Sequence, residues 1–307
     1  MSLLWLLPVA FLQLIGYICQ GVYKSMIAII LIIVLALAFV LQFLTGGFPV
    51  SFFAFPLNLI CMLLWLLIML GLWKTLRKSL FIRYMLSPNA TFSSILLVMA
   101  ACLLMGFTGW RSIAVSWVFV ALLLYLQTVL LFVLMRGWRD ATPTGARLGS
   151  VRWRFVLLHG GLLLMIASAF WGRPDSQTMR MKVHEGSAAV EVYRMDGTPT
   201  FLDYEVELKD FRMEKYETDV PSDFSADVLV DGKPVTLRVN HPYSVNLSEQ
   251  IYLSGYDVAA GADSDYCILQ VVKEPWKYGI VAGVVLTLLG AMLLFIAGPK
   301  KKYRDLD

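Results

Sequence analysis

Of the 22 acidic residues in this 307-residue chain, 19 fall between Gly172 and Lys277. Outside that stretch 15 Lys and Arg stand against only Asp140, Asp305 and Asp307. Apart from Arg111, those basic residues cluster in alternate loops between long apolar runs. Charge is costly in a hydrocarbon layer, and Lys and Arg are retained in short loops on the cytoplasmic side. The segregation therefore implies a polytopic membrane protein with one sizeable extramembrane domain. A 58% hydrophobic content and 16% charged residues agree, since a soluble core of this size needs less apolar material.

Runs long enough to cross about 30 Å of hydrocarbon are Met26 to Leu44, Phe55 to Trp73, Phe92 to Trp110, Ile113 to Met135, Phe155 to Trp171 and Tyr278 to Ala297. Leu3 to Ile18 is shorter, contains Pro8 and Gln13, and has no basic residue before it, so it reads as a seventh span or an interfacial helix rather than a cleaved signal peptide. The basic loops are Lys74, Arg77, Lys78 and Arg83; Arg136, Arg139, Arg147, Arg152 and Arg154; and the tail Lys300, Lys301, Lys302 and Arg304. If six spans alternate, all three fall on the cytoplasmic side, and the acidic stretch faces the periplasm of a bacterial inner membrane. The expected organisation is an N-terminal apolar segment 1–25, a helical domain 26–171, a periplasmic β domain 172–277, a last span 278–298 and a basic tail 299–307.

Cys19, Cys61 and Cys102 belong to apolar runs, which leaves Cys267 alone in the oxidising compartment without a disulfide partner. Neither C-x-x-C nor C-x-x-C-H occurs, so the cysteines read as core fillers. Within the acidic stretch the hydrophobic period becomes alternating. Ser225 to Val230 and Pro234 to Val239 flank Asp231-Gly232, a strong hairpin signal that sets Ala226, Val228 and Val230 against Val235, Leu237 and Val239 on one face. Further strands are expected at Met179 to His184, Val190 to Arg194, Asp203 to Phe211, Gln250 to Tyr256 and Tyr266 to Val272. Together they form a small antiparallel β domain, with a sandwich as its expected arrangement, and Trp171 and Trp276 suit its two interfacial entry points.

His159 follows Arg154 by five residues, about 7.5 Å into its span at helical rise. An ionisable group at that depth is either functional or a neutral imidazole bonded to a neighbouring helix. The adjoining Gly160-Gly161 leaves room for a flat ligand or a closely packed helix. His184 and His241 lie in the extramembrane stretch, where a histidine is more often structural. No H-E-x-x-H, G-x-S-x-G or P-loop occurs, so hydrolytic and nucleotide-driven chemistry have no motif behind them.

The order of several short runs is specific. Leu157-Leu158-His159-Gly160 is followed by Trp171-Gly172, Leu208 to Tyr216 (LKDFRMEKY), Pro221, Phe224-Ser225, Val239-Asn240-His241-Pro242, Ile251 to Asp257 (IYLSGYD) and Leu269 to Trp276 (LQVVKEPW), before a last apolar helix. Phe55-Pro56-Leu57-Asn58 and Met85-Leu86-Ser87-Pro88 precede them. In this order, over about residues 20–298, the chain resembles the ResB family, also called CcsB, of the system II machinery of cytochrome c biogenesis. The resemblance implies a subunit that helps carry haem b across the membrane, together with a CcsA-type partner, for attachment to apocytochrome c. His159 matches the family's transmembrane haem-iron ligand, and the Asn common before it is Leu158 here. The second axial ligand is expected from a histidine of the partner. The tryptophan-rich motif and external histidine pair belong to the CcsA part and have no counterpart here, so the chain is expected to be the non-catalytic half of a haem lyase. Partners are then the CcsA-type subunit, apocytochrome c and membrane lipid, and no nucleic acid. The alternative is a membrane-anchored sensor or assembly scaffold that uses its β domain to bind a partner without haem. A transporter subunit would show broken helices or repeats, and no repeat is found.

Overall fold

The structure is a computed structural model that describes residues 33–141, 153–215 and 221–297. The segment Leu3 to Ile18, the start of the run from Met26, Cys19, Arg147, Arg152 and the basic tail lie outside the described residues. The chain divides into two compact units, Met1–Phe170 with Ala282–Asp307, and Trp171–Val281.

In the first unit the helices are α1 (Ile33–Thr45), α2 (Leu57–Thr75), α3 (Leu80–Met85), α4 (Pro88–Thr108), α5 (Trp117–Ala141), α6 (Trp153–Gly172) and α7 (Lys277–Ala297), the last beginning in the second unit. Five of them, α2, α4, α5, α6 and α7, are long and apolar enough to cross a membrane. Local polar signals set their ends. Ser87 Oγ accepts the Ala90 N–H at 3.2 Å, Pro88 occupies the first turn, and Gly109, at φ +69°, closes α4. The expected start of the next span at Ile113 is corrected to Trp117. Residues Arg111–Val115 form a 3-10 turn, and Ser116 Oγ accepts the Phe119 N–H at 3.1 Å. That helix also runs past Met135 to Ala141, because Arg136 and Arg139 favour helix as much as the apolar residues before them. The short α3, capped by Ser79, occupies part of what reads from sequence as a basic loop. It packs with α4 and α5 around Ile82, Met85, Ala90, Tyr125, Val129 and Phe132. There the Tyr125 hydroxyl lies 2.9 Å from Ser93 Oγ, so its polar end is not left bare.

The second unit is one antiparallel sheet of β1 (Gln177–His184), β2 (Ala188–Arg194), β3 (Pro199–Lys215), β4 (Pro221–Val230), β5 (Lys233–Arg238), β6 (Tyr243–Ser244), β7 (Glu249–Tyr256) and β8 (Tyr266–Lys273). The spatial order is β5-β4-β3-β2-β1-β8-β7-β6. The expected two-sheet sandwich is corrected to this single sheet. The long β3 makes the difference, since its first part pairs with β2 and its second with β4, and so carries hydrogen bonding through where a sandwich would break. The sheet curls to bury one face. Met179, Met181 and Val183 of β1 join Val206 and Leu208 of β3, Ala226 and Val228 of β4, Leu237 of β5, Ile251 of β7 and Leu269 and Val271 of β8 in one core. The β4–β5 turn is as expected: Asp231 and Gly232 have φ of +51° and +73°, and Val230 pairs with Lys233 across a two-residue loop. Strand β5 ends before Val239, where Asn240 turns at φ +60° and the His241 N–H donates to the Arg238 carbonyl.

Where the chain enters and leaves the sheet, Gln177 of β1 pairs with Lys273 of β8. Trp276 Nε1 donates to Asp175 Oδ2 at 2.7 Å. A Cβ on Gly172 would lie 2.4 Å from the Trp276 Cβ, so only glycine lets the two segments approach this closely.

Candidate functional site

His159 sits on α6, which packs between two antiparallel neighbours. Towards α7, a Cβ on Gly161 would lie 2.6 Å from the Thr287 nitrogen, one on Gly283 would lie 2.5 Å from the Met165 nitrogen, and one on Gly290 would lie 2.5 Å from the Leu158 nitrogen. Glycines at these positions let the two backbones touch, as in small-residue helix contacts. Towards α5, a Cβ on Gly160 would lie 3.8 Å from Leu134 Cδ2, and Trp138 and Trp153 meet edge to face with ring centroids 6.3 Å apart. Of the two uses expected for Gly160-Gly161, close helix packing is the one that Gly161 serves.

At about 100° per residue, Leu158 and Gly161 turn to α7, while His159 shares its face of α6 with Phe155, the residue that reaches Gly137 of α5. The imidazole is half-buried there. Its Nδ1 lies 3.0 Å from the Phe155 carbonyl oxygen, one turn back. A carbonyl only accepts, so Nδ1 is the protonated nitrogen in this bond, and of the two neutral tautomers the one that makes it carries the lone pair on Nε2. The ring stacks on that of Phe155, with centroids 4.0 Å apart and planes 25° from parallel. Phe155 in turn presses on Gly137 of α5, where a Cβ would fall 1.9 Å from its Cε1. A neutral imidazole with its second nitrogen tied to a carbonyl is the form in which histidine binds a metal. One imidazole held in that way can supply a single nitrogen ligand to a metal.

Phe155 and Gly137 do not stand out in sequence. Phe155 is legible only as the residue four before a histidine, and Gly137 has no local signal. The other two histidines belong to the second unit: His184, on β1, faces Asp265 at 3.8 Å and the Tyr266 ring at 5.6 Å, and His241 is exposed in the turn after β5. Among the described residues no group of three His, Cys, Asp or Glu could hold a metal.

In the sheet, Cys267 is fully buried, and its burial pushes the thiol pKa up to about 12. Glu249 is also buried, accepting from Tyr204 Oη at 2.8 Å with Lys273 Nζ at 3.5 Å. Burial first, and then the bond to Glu249, hold the Tyr204 phenol above its ordinary range.

No curated protein matches the chain. A solved structure described as "Cytochrome c Heme Lyase CcmF" is similar, with 13% identity and a TM-score of 0.39 over 67% of this chain. The match spans only 34% of that structure's length. Residues 145–265 match the ResB-like family, a stretch that takes in α6 with His159 and the sheet from β1 to the turn before β8. The chain thus carries a ResB-like segment that joins a membrane-length helix to an antiparallel sheet.

Proposed function

We propose that the chain is a ResB-type subunit of a cytochrome c biogenesis complex, in which His159 is an axial ligand to haem carried as substrate across the membrane. The observation behind this reading is the His159 imidazole, which lies within the family-matched segment on an apolar helix and is held through Nδ1 and its ring face by Phe155, leaving Nε2 as the nitrogen not used in that bond. In this reading haem supplies the iron and the vinyl groups for thioether formation. The chain's own residues bind and orient: His159 donates a lone pair, and the apolar surroundings exclude water. The chain offers one such histidine, so the second ligand and the ligation chemistry belong to a CcsA-type partner. The sheet, with its acidic surface, lies on the periplasmic side, where apocytochrome c is met.

The test uses the full chain purified with its partner. His159→Ala should remove or strongly weaken the haem absorption of the complex and stop holocytochrome formation, and His159→Gly with added imidazole should restore part of both. A complete haem spectrum and normal cytochrome maturation in His159→Ala, at normal protein level, would return the histidine to a structural role. Absence of haem from the wild-type complex would favour the scaffold reading.

A further inference from the structure

We infer that Phe155, seated in a notch that Gly137 leaves on α5, is the positioning residue that sets the tautomer and ring plane of His159. The inference rests on the reading of His159 as an iron ligand. A histidine on a helix has two free torsions, and an axial bond to iron needs both settled before the ligand arrives, because Nε2 must point along the bond. Here the Nδ1–H bond to the Phe155 carbonyl holds one edge of the ring at 3.0 Å. The Phe155 ring, 4.0 Å away and 25° from parallel, holds the plane.

The Phe155 ring needs a wall of its own, and α5 supplies it. A Cβ at Gly137 would sit 1.9 Å from Cε1, 2.6 Å from Cδ1 and 2.6 Å from Cζ, so the ring lies against the Gly137 backbone where any larger residue would stand. Trp138 against Trp153 and Leu134 against Gly160 fix the two helices on either side of that notch. The sequence Gly137, Phe155, His159 is therefore a stack of contacts that runs from the backbone of α5 to the ligand nitrogen. Packing of α5 on α6 would need a small residue at 137, but would not by itself need a phenyl ring parallel to the imidazole.

The chain has three histidines, which makes the imidazole directly observable. Full-length protein labelled with 15N-histidine gives three ring-nitrogen patterns, and His159→Ala identifies the one of interest. Wild type should show the Nδ1–H tautomer of His159. Phe155→Leu and Gly137→Ala keep the carbonyl at 155 but remove or displace the ring that holds the imidazole plane, so each should let the imidazole turn off that carbonyl, giving a mixture of tautomers and weakening binding of added haem about tenfold, the scale expected when a ligand's orienting partner is lost. Phe155→Tyr, which keeps the ring, should behave as wild type. Unchanged tautomer and haem affinity in Phe155→Leu, at wild-type accumulation, would overturn the inference. If Gly137→Ala does not accumulate, the contrast of Phe155→Leu with Phe155→Tyr decides. Should His159→Ala bind haem as tightly as wild type, the ligand reading fails while the tautomer measurement still reports on Phe155.

Discussion

Cys267 shows how far one side chain can be withdrawn from chemistry without a covalent partner. It sits on β8 with no exposure, and desolvation keeps the thiol protonated across the physiological range. Native protein at pH 8 should therefore leave this cysteine unmodified by iodoacetamide while the sheet is folded, and label it on denaturation; mass spectrometry of the β8 peptide reads the outcome, and labelling of the native state would contradict the burial. The core-filler role of Cys267 was legible from the absence of any cysteine partner. The orientation of His159 was not, because a hydrogen bond from Nδ1 to a carbonyl depends on a rotamer, and no motif encodes a rotamer. Its location in an apolar helix beside two glycines was all that composition could supply.

Among the elements, α6 and α7 depend on their glycines most directly. Gly283→Leu places atoms where the Met165 backbone and the Gly161 carbonyl already stand, at 2.5 Å and 2.7 Å from the Cβ position. Backbone cannot step aside as a side chain can, so the helices must separate; the expected result is lower accumulation of the protein in membranes, read by quantitative immunoblot. Gly232 offers the opposite case, since a Cβ there meets nothing within 4 Å but the residue lies at φ +73°. Gly232→Val should destabilise the sheet by about 1–2 kcal/mol through backbone strain alone, with Gly232→Asn milder, as measured by thermal melting followed by the sheet's circular dichroism. Helices and strands were legible where a period or a run persisted, so seven of the eight strands and the five long apolar helices were anticipated. The two-residue β6 is too short to carry a period, and α3 lies in a basic stretch that hydropathy reads as loop. The single sheet in place of a sandwich follows from β3 changing partners midway, and alternation within a strand says nothing about who lies beside it.

For the whole molecule, we propose from the charge distribution that the basic loops face the cytoplasm and the acidic sheet the periplasm. Val258 lies in an exposed turn after β7, 82% accessible, and suits a fusion that leaves the core intact. An alkaline phosphatase fusion at that point should be active and a cytoplasmic reporter inactive; the reverse pattern would invert the topology. The pairing of Gln177 with Lys273 has a separate consequence. Partners across an antiparallel ladder lie about 5 Å apart, so everything between β1 and β8 begins and ends at nearly one point. Such an insert behaves as a cassette: it can be lengthened, exchanged for another domain or replaced by a tight turn without asking the flanking chain to change course.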